Sequence, residues 1–420
     1  MGGYFSQGDD CMRIKSIAAR QILDSRGQPT LEARVTLTCG AEGVASAPSG
    51  ASTGAHEAHE LRDGGSAYGG RSVERAVAGV NGEICAALTG LDVRDQRGID
   101  AALIALDGTP NKSRLGGNAL IAVSLACAVA ASKAAGMPLW RYIGGVSGGR
   151  CPCPMMNVLN GGAHAANNVD IQEFMLVPVG AASFADAVRM CAETYQALKS
   201  VLRERGLSIA LGDEGGFAPD LRSDEEALEL LMLAIGRAGC IPGKGMAIAL
   251  DVAASEWADA GEYHLPKRGE RRSRKEMIEY FSRLTQNYPI VSLEDPLGEE
   301  DFAGFAEITR QLGDSVMIVG DDLFTTNPAR LRKGIDACAA NAILLKPNQI
   351  GTLSETIDAV RIARGAGYRL IMSHRSGETE SSIIADLACA VNADFLKAGA
   401  PARSERTAKY NRVLAIELDW

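Results

Sequence analysis

Between Ala247 and Lys397 one event recurs along the chain: a short apolar run ends in an ionisable or hydrogen-bonding residue, and a longer helix-like stretch leads to the next run. The endings are Asp251 after AIAL, Glu294 after IVSL, Asp321 after VMIVG, Lys346 after AILL, His374 after RLIMS and Lys397 after FL. Buried strands with ionisable ends, separated by helices, are how a (β/α) barrel assembles an active site at the carboxyl ends of its strands. Three carboxylates and two lysines would then face one mouth. Carboxylates that share a cavity repel one another unless cations lie among them, and an oxygen-only donor set favours a hard ion such as Mg2+. The pattern points to a metal-dependent enzyme.

The rest of the chain narrows the possibilities. With 420 residues and 46% hydrophobic content, it has room for a barrel and a satellite domain. A net charge of -9 and a pI near 5.3 argue against a nucleic-acid or membrane-surface partner, because both reward clustered positive charge. The one basic run, Lys267 to Lys275, reads as a solvated loop leading into a helix. Ten cysteines follow no regular framework and no apolar signal segment opens the chain, so a cytoplasmic, reducing setting is expected. CPCP at 151–154 lacks the second pair that a zinc site needs. The apolar run Ala119 to Ala131 is too short to span a bilayer and reads as a buried helix.

Organisation follows from punctuation. Residues 1–12 form a polar, glycine-rich tail. From Ile14 to Thr38 the pattern suggests strands around the turn-like DSRGQPT, with a further one at Val44 to Ala47. Val73 to Ala135 has helical spacing, broken at Gly90, Gly98 and Asp107-Gly108-Thr109-Pro110. This predicts a small α+β domain over 13–148. A glycine-rich joint from Gly144 to Gly149 leads into the barrel domain, 149–420.

Eleven segments, read in order, resemble the enolase family from Ile14 almost to the end: DSRGQPT, PSGASTGAHE, LDGTPNKSRLGGNA, MMNVLNGGAHAANNVDIQEFM, GDEGGFAP, ALDVAASE, SLEDPL, GDDLFTTNP, LLKPNQIG, SHRSGETE and RSERTAKYN. The resemblance implies an α/β fold, an enolase-type (β/α)8 barrel whose early strands depart from simple alternation, with an N-terminal α+β capping domain. It implies reversible dehydration of 2-phospho-D-glycerate, a small phosphorylated carboxylate, to phosphoenolpyruvate. Two Mg2+ ions per site are implied, the second arriving with substrate, and a homodimer or an octamer.

Residue roles follow by resemblance. Asp251, Glu294 and Asp321 would hold the first magnesium, and Ser52 would serve the second from a mobile lid. Lys346 would be the general base, which requires a depressed pKa, and Lys397 its positive neighbour and the stabiliser of the enolate. Glu214 would protonate the departing hydroxyl with Glu173 as the partner sharing its proton, and His164 would lie near the reacting hydroxyl. His374 stands among the substrate-binding residues, and Arg375 and Ser376 match phosphate contacts, the guanidinium fork suiting phosphate oxygens.

Four departures lie near these motifs: Pro347, Phe395, Ala398 and Ser381 stand where the family usually carries other residues. Phe395 and Lys397 are two apart on one strand, so they share a face, and a phenyl ring there could reshape the pocket floor. The departures raise the alternative of a diverged enzyme making a related phospho- or phosphono-enol product. A non-catalytic binding protein is a further alternative. It would be expected to lack a metal carboxylate or the base, and all are present.

Overall fold

A computed structural model describes residues 11–51, 54–259 and 261–419. Ser52, the expected lid ligand, and residues 1–10 of the expected tail lie outside the described residues. Cys11 and Met12 are tied into the fold, their carbonyls accepting from the Cys39 and Val93 amides.

The first unit opens with an antiparallel sheet of β1 (Ile14–Leu23), β2 (Pro29–Leu37) and β3 (Glu42–Ser46). Within DSRGQPT, the Asp24 carboxylate accepts from the Arg26 and Gln28 amides while Gly27 takes φ +70°, a turn that its side chain builds. Helix α2 (Gly117–Ala134) covers the sheet, and α1 (Gln96–Asp107) packs on α2. Helix α2 contains the apolar run read as a buried helix, and it is buried nearly all round. It is long and apolar enough to cross a membrane, but 83% of it is buried inside the protein. Gly43 on β3 lets the two backbones touch: a Cβ there would lie 2.0 Å from the Ala126 carbonyl oxygen. The break expected at Gly98 is absent. Gly98 lies in the first turn of α1, where its amide donates to the N-cap Asp95, so the cap outweighs glycine's poor helix propensity. Gly90 and Gly108 do end their elements, at φ +88° and +69°.

The chain leaves this unit through α3 (Leu139–Gly144) and the glycine-rich joint. A closed barrel follows, in the order β4 (Cys153–Asn160), β5 (Glu173–Val177), β6 (Ala247–Asp251), β10 (Ile290–Glu294), β11 (Met317–Gly320), β12 (Ala342–Leu345), β13 (Arg369–Ser373) and β14 (Phe395–Lys397). Strand β5 runs antiparallel to both neighbours and the other pairs are parallel. The antiparallel start has a consequence for chemistry: the amino end of β5, not its carboxyl end, faces the mouth. Helices α4 (Phe184–Glu204) and α5 (Asp224–Arg237) pack together after β5. Three short strands β7 (Ala258–Asp259), β8 (Glu262–Leu265) and β9 (Glu270–Ser273) interrupt the next repeat before α6 (Arg274–Asn287). Strict alternation then runs through α7 (Phe302–Leu312), α8 (Pro328–Asp336), α9 (Leu353–Gly365), α10 (Ile383–Ala390) and α11 (Ser404–Leu418). The basic run 267–275 is mostly exposed and leads into α6 as expected, but it is the turn and second strand of the β8–β9 hairpin rather than an irregular loop, with Lys267, Arg268 and Arg272 half-buried.

Met155, Met175, Ala249, Val319, Leu344 and Ile371 fill the barrel axis, so the site can form only above them. The first unit reaches this mouth from the side. Ser49 and Gly377 exchange backbone hydrogen bonds of 2.8 Å, the Ala58 amide donates to the Gln349 carbonyl, and Lys112 pairs with Glu355 at 2.7 Å.

Candidate active site

Each ionisable strand ending named from the sequence lies at one mouth. Asp251 and Glu294 end β6 and β10 and are paired in register. Asp321 and Lys346 follow β11 and β12, and Lys397 ends β14. Glu173, at the reversed end of β5, is paired in register with Asp251. All five carboxylates of the site, with Glu214 from the loop between α4 and α5, are buried.

The lysines lie among them. The Lys397 ammonium is 2.8 Å from Asp251 Oδ2 and from both Glu294 oxygens, and 3.4 Å from Glu173 Oε2. Lys346 pairs with Asp321 at 2.5 Å. Asp321 Oδ1 accepts from Gln349, and Asp251 accepts from Gln172 and from the Ala253 amide. Burial favours a neutral Lys346 amine, as do Arg375 and Lys397, but Asp321 and Glu294 prevail and hold its pKa above the usual lysine value. The depressed pKa expected of a base is thus absent while Asp321 is its partner. Lys397 is likewise held charged, burial being outweighed by Asp251, Glu173 and Glu294. Burial and the neighbouring Asp251 push Glu294 well up despite Lys397.

On the other side of Lys397, His164 Nδ1 is 3.5 Å from Glu173 and 3.6 Å from Glu214, while its Nε2 is 3.0 Å from the Ser376 hydroxyl. Oxygens of Glu173 and Glu214 and a nitrogen of His164 all lie within 4.8 Å of one another. These carboxyls are driven apart in pKa. Burial and the Glu214 charge push Glu173 well up, whereas for Glu214 the burial penalty is outweighed by His374, His164 and Arg406, which hold it well down. Of the two, Glu173 is the one driven toward its protonated form. His374 accepts from Arg406 on Nδ1, so its neutral ring carries the proton on Nε2, which faces Glu214 at 3.3 Å.

Arg375 and Ser376 meet protein groups here. Arg375 binds Glu57 of the first unit at 2.8 and 3.1 Å, and Ser376 binds His164. The sequence reading did not single out Glu57, Gln349 or Arg406, although each lies inside a quoted motif. Their partners come from distant segments, and spacing carries no signal of that kind. The cavity lined by Asp251, Asp321, Lys346, Lys397, His164 and Glu214 keeps only about 20 Å³ of free volume.

A hard divalent cation fits this donor set. Asp251, Glu294 and Asp321 present only oxygens, and two lysine ammonium groups already pair with all three. The Asn157 Oδ1, His164 Nδ1, Gln172 Oε1 and Glu173 Oε2 atoms around the cavity are buried without a hydrogen-bond partner, a concentration that marks a site built for a polar ligand. Among the described residues it is Asp295, Asp321 and Asp322, not the strand-end trio, whose oxygens all lie within 4.8 Å of one another.

None of the four departures lines this cavity. Phe395 does share the inward face with Lys397, but it lies level with Cys153 and Ile371, toward the opposite end of the barrel. It forms no part of the pocket floor. Pro347 takes the first position of the short helix Pro347–Ile350, where a missing amide costs nothing. Ala398 is core, and Ser381 lines a groove between the two units.

The family model described as "Enolase, C-terminal TIM barrel domain" matches residues 150–419, and that described as "Enolase, N-terminal domain" matches residues 14–143. A curated enolase of Acidothermus cellulolyticus is 56% identical over 404 residues, which covers 96% of this chain and 94% of that protein.

Proposed function

The chain belongs to the enolase family and is a lyase, and from that premise we propose that it dehydrates 2-phospho-D-glycerate to phosphoenolpyruvate, reversibly, with magnesium. The observation that carries this reading is the convergence of Asp251, Glu294 and Asp321 on Lys346 and Lys397, beside the close carboxyls of Glu173 and Glu214. Asp251, Glu294 and Asp321 would hold the resident ion, and Ser52 the one that comes with substrate. Magnesium bound there supplies positive charge against the charge that develops on the substrate carboxylate.

The residues supply the rest. Lys346 takes the proton beside the carboxylate once Asp321 ceases to hold it as an ammonium, and Arg375 and Lys397 then favour the neutral amine. Lys397 remains charged and faces the electron-rich product of that step. Glu173 and Glu214 deliver their shared proton to the departing hydroxyl, with His164 fixing the donor. Arg375 exchanges Glu57 for phosphate, and Ser376 lies beside it. His374, through Glu214, keeps the pair ionised once.

The whole protein is read as a cap over 13–148 on a barrel over 149–420, working in the cytoplasm as a homodimer or octamer. Ten free thiols agree with a reducing compartment. The positions of Phe395, Pro347, Ala398 and Ser381 away from the cavity support the ordinary substrate over a phosphono-enol variant. The test is ultraviolet absorbance of the enol product on mixing purified protein with 2-phosphoglycerate, with magnesium and then with EDTA. Fast, EDTA-sensitive turnover is expected. A folded, magnesium-binding protein that leaves this substrate untouched overturns the reading.

A further inference from the structure

The loop from Gly161 to Asp170 carries His164 over the mouth, and its grip comes from outside the barrel core. Lys267 lies in the β8–β9 hairpin, and its ammonium donates to the Gly162 carbonyl at 2.8 Å, to the Ala165 carbonyl at 2.9 Å and to Asn167 Oδ1 at 3.3 Å. An ammonium has three protons on one point, and all three acceptors belong to the one loop. Asn167 is itself fixed, since its Nδ2 donates to the Asn160 and Pro219 carbonyls and so turns Oδ1 toward Lys267. The loop's far end is held by the same hairpin: the Lys267 amide donates to Asp170 Oδ1, and Arg268 pairs with Asp170 and Asp224.

The geometry has a direction. Gly162 and Ala165 flank His164, and drawing both carbonyls to one point closes the turn behind the imidazole. The ring is left facing Glu173, Glu214 and Ser376 on the other side. Gly162 adopts φ +50° in this turn, a left-handed conformation that glycine takes without the clash a Cβ would bring.

We propose that Lys267 is a positioning residue for the reaction, an ammonium clamp that sets the His164 loop in its working conformation. The proposal rests on the function read above for the kinetics, but the clamp itself does not depend on it. Lys267 touches no group of the cavity, and the hairpin that carries it lies in the basic run that the function leaves without a role.

The experiment is Lys267→Met in the full chain with two readings. Amide hydrogen exchange across 161–170 is expected to quicken about tenfold, with β4 and α2 keeping wild-type protection. Turnover of 2-phosphoglycerate is expected to lose about ten- to a hundredfold in kcat with KM nearly unchanged, the scale of a slightly misplaced catalytic group. Unchanged exchange in the loop overturns the clamp, and faster exchange with wild-type kcat overturns its part in the reaction. If Lys267→Met does not fold, Lys267→Gln, which keeps one donor, is held to the same two readings. A wild-type protein without turnover refutes the proposed function, while the exchange reading still decides the clamp.

Discussion

Lys346 has two neighbours that pull in opposite senses, and its chemistry turns on which one prevails. Asp321 holds the ammonium form, whereas burial, Arg375 and Lys397 favour the amine. Lys346→Ala is therefore expected to abolish exchange of the substrate's alpha proton with solvent, followed by NMR in deuterated buffer; near-normal exchange would give the base to another residue. A second expectation concerns stability. Burial lowers the His374 pKa to about 4, Arg406 reinforcing and Glu214 opposing, against an ordinary value of 6.5. The unfolded chain then binds this proton more readily than the folded one, so the stability present above pH 6.5 is lost as pH falls toward about 4. The full loss is on the order of 3 kcal/mol. Urea unfolding at pH 7 and pH 5 measures part of it, and His374→Gln should reduce the difference. An identical pH difference in that variant assigns the effect to other groups. The strand-end carboxylates and lysines were legible in the sequence because each closes an apolar run, a one-dimensional signal. Glu57 opposite Arg375, and Arg406 behind His374, were not, because burial and pairing across 318 and 32 residues leave no trace in spacing.

At the level of elements, the strands were read more securely than their exceptions. An apolar run says that a strand is buried, but not which way it runs. The resemblance implied only that the early strands depart from simple alternation; the reversal of β5 itself is a finding of the structure, and it matters because it brings Glu173 to the mouth. Glycine misled in one place and informed in another. Gly98 looked like a break, yet the Asp95 cap absorbs it within α1. Gly43 drew no attention, although it is where β3 meets the backbone of α2, with Ala126 O and Ala130 N at 2.0 and 2.3 Å from a notional Cβ. Neither neighbour is a side chain that could rotate away. Gly43→Ala should therefore push the helix off the sheet and cost about 3 kcal/mol or more, at the upper end of overpacking penalties. A denaturation midpoint equal to wild type would show that strand and helix separate cheaply. The same change should leave the barrel strands protected from hydrogen exchange, since β3 lies in the other unit.

Across the whole molecule, negative charge is concentrated at one mouth and is balanced from three directions. Lys397 and Lys346 come from the barrel itself, Arg375 is engaged by Glu57 of the first unit, and Lys112 ties that unit to Glu355. The remaining repulsion appears in Glu294, whose pKa burial and Asp251 push well up. A cation bound only by the folded chain must therefore raise its stability by mass action, about 2.7 kcal/mol at a hundred times the dissociation constant. Thermal unfolding with and without saturating magnesium should show the shift, and EDTA should reverse it. The variants then decide where the ion sits. Asp321 belongs both to the strand-end trio and to the tight group with Asp295 and Asp322, so changing it cannot discriminate. Asp251→Asn removes an oxygen from the first group alone and Asp322→Asn from the second alone. If the trio holds the ion, the magnesium shift disappears in Asp251→Asn and persists in Asp322→Asn. The reverse pattern would move the ion toward the first unit, and Lys397 would then remain the only charge balancing Asp251 and Glu294.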